Sequence, residues 1–392
     1  MIPAIVLGLS PTGLYAVREL GRAGIPVLGV AAQDQAGAWS RHLTHSDRKI
    51  IAADPSRRLA QLLALADRHP ERPVLIPCSD QDIAFVTEHA DTLKTGFRFQ
   101  QSYMNGAADT LLSKADFYAL CREVDIIVPS QWQGTRDEIA ALADEIAFPC
   151  LIKPSLIHEV KDFMAGRKVW TIADRAEFDR ILARLPTGDM IWLVQEIIPG
   201  PESEITLFCA WFDAFSRPHQ AFTARKLRQY PPGFGSASLV QSHPEEETQE
   251  QSTRLMKHLG YQGIAATEFK RDFRDGKLKV IESNPRPSLW FSVSTAAGKQ
   301  VALAAYQDLA GLDISLADDP QQQGVRWHYG LKDAYSALFY RLNPNFILPA
   351  PDLSEIPAPT SRTWAVAGFN DPGPALGEMI NFARKGWRRM IR

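Results

Sequence analysis

The chain has 392 residues, 43 Lys and Arg against 45 Asp and Glu, and 45% hydrophobic residues, a balance that suits two or three globular domains and excludes a binder of nucleic acid by bulk charge. Cys78, Cys121, Cys150 and Cys209 lie scattered, with no CxxC pair and no Cys/His cluster at zinc spacing, which excludes a disulfide framework and reads as buried thiols of a reduced, cytoplasmic protein. No apolar run approaches the roughly 20 residues of a membrane span, and the start "MIPAIVLGL" lacks a basic leader, so neither spanning nor export is expected.

Residues 1–108 alternate the short apolar runs "PAIVLGL", "IPVLGV", "RKIIAA" and "PVLIPC" with helix-like segments such as "LYAVRELGRAG" and "SRRLAQLLALADRHP". That alternation predicts a parallel α/β sheet with crossover helices. Its first turn, "VLGLSPTG", superficially matches a dinucleotide fingerprint through Gly8, Gly13 and Asp34. Ser10 replaces the glycine that lets backbone approach a pyrophosphate, and Pro11 follows it, which weighs against a dehydrogenase. Asp80, in "IPCSD", also has a plain reading as the cap of the helix "IAFVTEH".

Residues 109–315 form a mixed α+β pattern, with helices predicted around 114–123 and 175–185 and strands at "CLIKPS", "IWLVQEII", "EITLFCAWF", "GIAATEFKRDF" and "KLKVIESN". The last two flank Asp275-Gly276 and read as a β-hairpin. A three-residue loop, Arg274–Asp275–Gly276 with Gly276 left-handed, sets Glu268 opposite Glu282; a two-residue loop would slip the register and put them on opposite faces. Opposed like charges on adjacent strands are destabilising, and a hard divalent cation with oxygen ligands relieves them. Glu268, Glu282 and Asn284 would make an all-oxygen magnesium site completed by phosphate and water; the plainer alternative is a solvated hairpin.

A cation of that kind shares its shell with phosphates, so further positive charge is expected. Lys114 opens a helix in "TLLSKADFYALC", Lys153 ends an apolar strand in "FPCLIKPS", and Arg225, Lys226 and Arg228 enter the loop "TARKLRQYPPGFGSAS". Singly, each could be a snorkelling lysine or a solvated basic turn.

Their succession over roughly residues 1–315 resembles the ATP-grasp superfamily. The resemblance implies a Rossmann-like parallel-sheet domain (1–108), an α+β ATP-grasp domain (109–315) and a C-terminal extension (316–392). It implies that Lys114 and Lys153 hold the α- and β-phosphates of ATP, that Gln195, Glu196, Ile197 and Ile198 of "LVQEIIPGPESE" form the adenine hinge, and that Glu204 meets the ribose. It further implies that Glu268, Glu282 and Asn284 bind Mg²⁺, with Mn²⁺ as a substitute, that Arg225 or Lys226 contacts the γ-phosphate, and that Arg286 of "ESNPR" steadies the transferred phosphoryl group. Arg228, Ser10, Ser79 and Asp80 would face substrate. The stretch "RKLRQYPPGFGSAS" further resembles the carboxylate–amine ligase branch, which includes D-aspartate ligase-like enzymes. The expected activity is ADP-forming ligation of a small carboxylate to an amine through an acyl phosphate. The alternatives are a thiol or carbamate-type acceptor, or a nucleotide-binding regulator without turnover.

Two stretches depart from the family pattern. The phosphate-covering loop "SLIHEVKDFMAGRKVW" has Gly166 as its one glycine, and "PSLWFSVS" replaces a Phe-Trp-Gly-like continuation after "NPR". Beyond residue 315, "RLNPNFILPAPDLSEIPAP" predicts an appended proline-rich segment. The tail "GEMINFARKGWRRMIR" spaces Arg384, Arg388 and Arg392 helically, with Met379, Ala383, Trp387 and Met390 near the other side. It is expected to dock on the protein's own body, with weak contact to a membrane surface as the alternative; separately, a homodimer is among the expected partners of the chain.

Overall fold

The computed structural model describes residues 1–31, 35–44, 54–154 and 169–390, the side chains of 154 and 382–390 excepted. Asp34, the strand expected at 48–53, the glycine-poor loop at 155–168 and the tail side chains of Ala383, Arg384, Trp387, Arg388, Met390 and Arg392 lie outside the described residues.

Fourteen strands are found among the described residues: β1 (Ala4–Leu7), β2 (Val27–Val30), β3 (Val74–Pro77), β4 (Gln131–Gly134), β5 (Cys150–Pro154), β6 (Trp170–Ile172), β7 (Trp192–Glu196), β8 (Ile205–Phe212), β9 (Pro218–Tyr230), β10 (Ser236–Ser242), β11 (Gly263–Arg271), β12 (Leu278–Asn284), β13 (Val325–His328) and β14 (Ser361–Trp364). The first sheet is parallel, in the order β2-β1-β3. All four residues of each of its strands are buried, as continuous apolar runs covered on both faces require. The helix Pro11–Arg22 leaves the end of β1 with a proline in its first turn, where the ring costs no hydrogen bond. The helix Asp80–Glu88 leaves β3, and its cap is Ser79, whose Oγ accepts from the Asp82 N–H at 3.1 Å.

The remaining sheets are largely antiparallel. A four-stranded sheet runs β4-β7-β5-β6, and a seven-stranded sheet runs β12-β11-β8-β9-β10-β13-β14. The C-terminal region thus supplies the last two strands of the large sheet, β13 antiparallel to β10 and β14, at the edge, parallel to β13. One core runs from the helix Pro11–Arg22 (Leu14, Tyr15, Val17) through Trp290, Phe291 and Val301 to the inner face of β8 and β9. A second covers the opposite face of the large sheet with Phe117, Phe208, Phe269 and Val280. The helix Pro11–Arg22 thus meets the large sheet through the helix Val301–Leu309.

The hairpin β11–β12 reaches the expected pairing by a different route. Arg271 pairs with Leu278 and the Asp272 N–H donates to the Lys277 carbonyl, so the loop has four residues, Phe273 to Gly276, with Gly276 left-handed at φ +70°. Uncorrected, that loop would place Glu268 opposite Ile281. A bulge between Glu268 and Phe269 on one strand, absorbing Ile281 on the other, advances the register by one and puts Glu268 opposite Glu282.

Candidate functional site

A cleft of about 910 Å³ opens where the three sheets meet. Ser10 and Thr12 at the end of β1, Ser79 and Asp80 at the end of β3, Lys114, and Lys153 of β5 line it. So do Gln195, Glu196, Ile197 and Ile198 at the end of β7, and Lys226, Glu268, Glu282, Asn284 and Arg286 from the large sheet.

Lys114 is the first residue of the helix Lys114–Glu123, capped by Ser113. Burial first and the Lys114 ammonium second hold Lys153 below the ordinary lysine range, and among the described residues no carboxylate offsets them. Two ammonium groups lining one cleft favour a multiply charged anion there.

Opposite them, Glu268 and Glu282 face each other across the strand pair. Burial, and to a smaller extent Glu282, push the Glu268 carboxyl up, although the buried Lys226 ammonium forms a short ion pair with it. Asn284 donates Nδ2 to Glu282 Oε1 at 3.0 Å. One ammonium therefore stands against two carboxylates. The donor set is all oxygen and fits Mg²⁺. Among the described residues no group of three or more His, Cys, Asp or Glu gathers as a metal site, so a full shell would draw on Asn284 and on substrate oxygens. Arg286 reaches across the cleft and donates Nε to Asp80 Oδ1 at 2.6 Å.

The hinge is held by residues that sequence reasoning passed over. Lys270, brought down to about 8 by burial, donates to the carbonyls of Ile198 and Gly200 at 2.7 Å each. The side chain of Glu196 is taken up by bonds to neighbouring protein groups. It accepts from Lys279 at 2.8 Å, from the Ser130 N–H at 2.9 Å and from Arg274. Burial pushes the Glu196 carboxyl up, but these donors outweigh it and leave it below the usual range. The signal was present: Glu268 and Lys270 alternate at the end of β11, with Asp272 two residues further on, so the face that begins with Ile264 and Ala266 turns charged towards its end.

Three expected site residues stand apart from the cleft lining. Arg225 alternates to the other face of β9 from Lys226 and donates Nε to Glu245 at 2.5 Å. Arg228 is engaged by both oxygens of Asp333, at 2.7 and 2.8 Å. Glu204 sits half-buried in a short 3₁₀ turn, Glu202–Glu204. Its neighbour Glu202 is fully buried and accepts from the N–H groups of Gln229 (2.8 Å) and Gly233 (2.5 Å), tying down the loop that follows β9.

At the first turn, a Cβ on Gly13 would lie 1.9 Å from the Gly8 carbonyl oxygen, so that glycine serves close approach of helix to turn. The Asp82 carboxylate, held by Arg58 at 2.5 Å, lies where a Cβ on Gly8 would meet it at 2.8 Å. A pyrophosphate brought to this turn would face that negative charge.

No family model matches the chain. In sequence it is 26% identical over 227 residues to D-aspartate ligase of Enterococcus faecium (strain Aus0004), covering 54% of this chain and 53% of that protein. It is 24% identical over 227 residues to the arginine-specific carbamoyl phosphate synthase large chain of Bacillus subtilis (strain 168), covering 57% of this chain and 21% of that one. The chain therefore spans about half or less of the length of these curated relatives. Among solved structures it is similar to the biotin carboxylase domain of Hydrogenobacter thermophilus 2-oxoglutarate carboxylase, a structure holding MgADP and bicarbonate (TM-score 0.59, 15% identity, 83% of this chain and 73% of that one). It is also similar to L-amino acid ligase from Bacillus licheniformis (TM-score 0.53, 15% identity, 81% of this chain and 77% of that one). The chain has the ATP-grasp fold, and D-aspartate ligase is among the proteins its sequence resembles.

Proposed function

We propose that the chain is an ATP- and Mg²⁺-dependent ligase that joins a small carboxylate to an amine through an acyl phosphate, releasing ADP and phosphate. One observation carries this reading: a facing carboxylate pair, Glu268 and Glu282, and two lysines, Lys114 and Lys153, line the same cleft. That arrangement suits a metal–polyphosphate complex and suits little else. D-aspartate ligase and L-amino acid ligase, among the similar proteins, carry ligase names.

In this reading residues 1–108, 109–315 and 316–392 are the N-terminal, ATP-grasp and C-terminal units. Lys114 and Lys153 hold the α- and β-phosphates, and the backbone of Ile197 and Ile198, fixed by the Pro149 carbonyl at Ile197 and by Lys270 at Ile198, receives the base. Glu268, Glu282 and Asn284 would hold Mg²⁺, which supplies charge neutralisation at the phosphates. Lys226, already paired to Glu268 inside the cleft, is better placed than Arg225 to meet the γ-phosphate. The γ-phosphoryl group passes to a carboxylate oxygen of the acid. The P–O bond to ADP breaks, a carboxylate–phosphorus bond forms, and the acyl phosphate carries a leaving group that free carboxylate lacks. The amine then attacks the carbonyl carbon and phosphate departs. Phosphoryl transfer asks for positioning and charge neutralisation more than for a covalent nucleophile. Arg286, tethered to Asp80, would turn to the developing charge on the acyl phosphate.

The test is acid-dependent ADP release. Glu282→Ala and Arg286→Ala are each expected to lower turnover at least about a hundredfold, the scale of one preorganised electrostatic group, and EDTA is expected to abolish it. Near-wild-type ligation by either variant would reject the assignment.

A further inference from the structure

Among the described residues four carboxylates line the cleft: Asp80, Glu196, Glu268 and Glu282. Three of them are committed. Glu196 is held by Lys279, Arg274 and the Ser130 N–H, Glu268 forms its ion pair with Lys226, and Glu282, bonded to Asn284, completes the pair that suits Mg²⁺. Asp80 has no such duty. The helix it opens is capped by Ser79, so capping does not account for it. It accepts from Arg286 Nε at 2.6 Å, yet its side chain stays 61% exposed. An ion pair this open to water adds little stability, so holding the fold together does not account for it either.

Amide formation needs a group of this kind. As the amine nitrogen bonds to the acyl carbon, the carbonyl π pair moves to oxygen and the nitrogen becomes positively charged. An N–H proton then leaves, the carbonyl re-forms, and phosphate departs with the electron pair of the C–O bond. A proton acceptor beside the acyl carbon eases this step. No histidine lines the cleft among the described residues, and burial pushes the Cys78 thiol far up. Arg286 links the two half-reactions. It lies on Asp80 in the structure, and when it turns to the acyl phosphate it uncovers that carboxylate next to the new electrophile.

We infer that Asp80 is the proton acceptor for the amine: its carboxylate takes an N–H hydrogen bond from an incoming primary amine and then the proton, and Arg286 covers it until the acyl phosphate has formed. The proton passes on to water when the amide leaves. This rests on the ligase reading for the identity of the cleft. It makes Asp80 a catalytic residue of the second half-reaction alone.

Hydroxylamine separates the two half-reactions. It is uncharged at neutral pH and captures acyl phosphates as hydroxamates, losing its proton to water, so it reports the first half-reaction without the amine step. Succinate, aspartate, alanine and propionate are tested as acids on the full chain with ATP and Mg²⁺, and hydroxylamine, ethylamine or glycine is the acceptor. Asp80→Asn is expected to keep hydroxamate formation and the KM for ATP within about twofold, while amide formation falls about a hundredfold, the scale of one positioned proton acceptor. Asp80→Glu should recover part of the loss. An equal fall in both products would make Asp80 a tether for Arg286 and overturn the inference. Unchanged amide formation would give the proton to the departing phosphate and overturn it too. Because Asp80 acts on the attacking nitrogen itself, small amines suffice as probes, and wild-type protein that forms hydroxamate but no amide from either amine also overturns it. In these three cases hydroxamate formation leaves the ligase reading standing. Wild-type protein that yields neither hydroxamate nor ADP with any acid sinks the ligase reading, and the inference with it.

Discussion

The carboxylate pair shows what alternation along a strand can and cannot reveal. Glu268 and Glu282 share a face because side chains alternate, and that much can be read from the spacing of charged residues on either side of Asp275-Gly276. Lys226 could not be matched to Glu268 in the same way. Their strands, β9 and β11, are separated in the sheet by β8, and the two residues lie 42 positions apart in the chain, so no local pattern joins them. The pair has a consequence for stability. Removing one member of a buried ion pair leaves the other charged, and such losses run to about 3 kcal/mol or more. Glu268→Gln is therefore expected to lower unfolding free energy by about that amount, while the double variant Lys226→Met/Glu268→Gln regains much of it, because neither charge is then stranded. Urea denaturation of the four proteins checks this. Additive losses in the double variant would mean that the two side chains do not hold each other.

The hairpin shows why an element can be right in outcome and wrong in construction. A three-residue loop and a regular ladder give the same opposed glutamates as the four-residue loop and bulge that the chain uses. Turn residues speak only for the turn. A bulge at Ile281 has no such sign, since isoleucine suits a regular strand as well. Gly276, by contrast, is legible for a physical reason: it sits at φ +70°, where a β-carbon is strained. A Cβ added there meets nothing within 4 Å, so Gly276→Ala isolates the backbone cost. The expected loss is about 1 kcal/mol, with the KM for ATP unchanged because the bulge, not the loop, sets Glu268 against Glu282. A large change in nucleotide affinity would show that the loop controls the register.

At the scale of the whole molecule, the parallel first sheet and the antiparallel sheets that follow were foreseeable from apolar runs and their connections, whereas the role of the C-terminal segment was not. Its two strands have four residues each, too short to show a period, and they join the sheet through a long-range pairing with β10. The way the first helix is tied to the segment after β12 gives a pH signature. Glu19, on the helix Pro11–Arg22, is fully buried and accepts from the Leu303 N–H at 3.0 Å, from Tyr15 at 3.3 Å and from Thr295. Burial raises it to about 7 despite those donors. The titratable groups facing it, Tyr15 and Cys209, are themselves pushed up by burial and stay neutral. The unfolded chain releases this proton near the ordinary value of 4.5, so between about 4.5 and 7 the native state holds a proton that the unfolded state has lost. Stability from this group is therefore lost as pH rises through that window and the loss is complete above it, reaching ~3 kcal/mol at most. Glu19→Gln has no proton to lose. Relative to wild type, the variant should gain stability between about pH 4.5 and 7 and level off above that in urea denaturation, whatever the other carboxylates contribute to both curves. A difference that stays constant across that range would mean that Glu19 is ionised throughout and that its three donors, not its burial, set its charge.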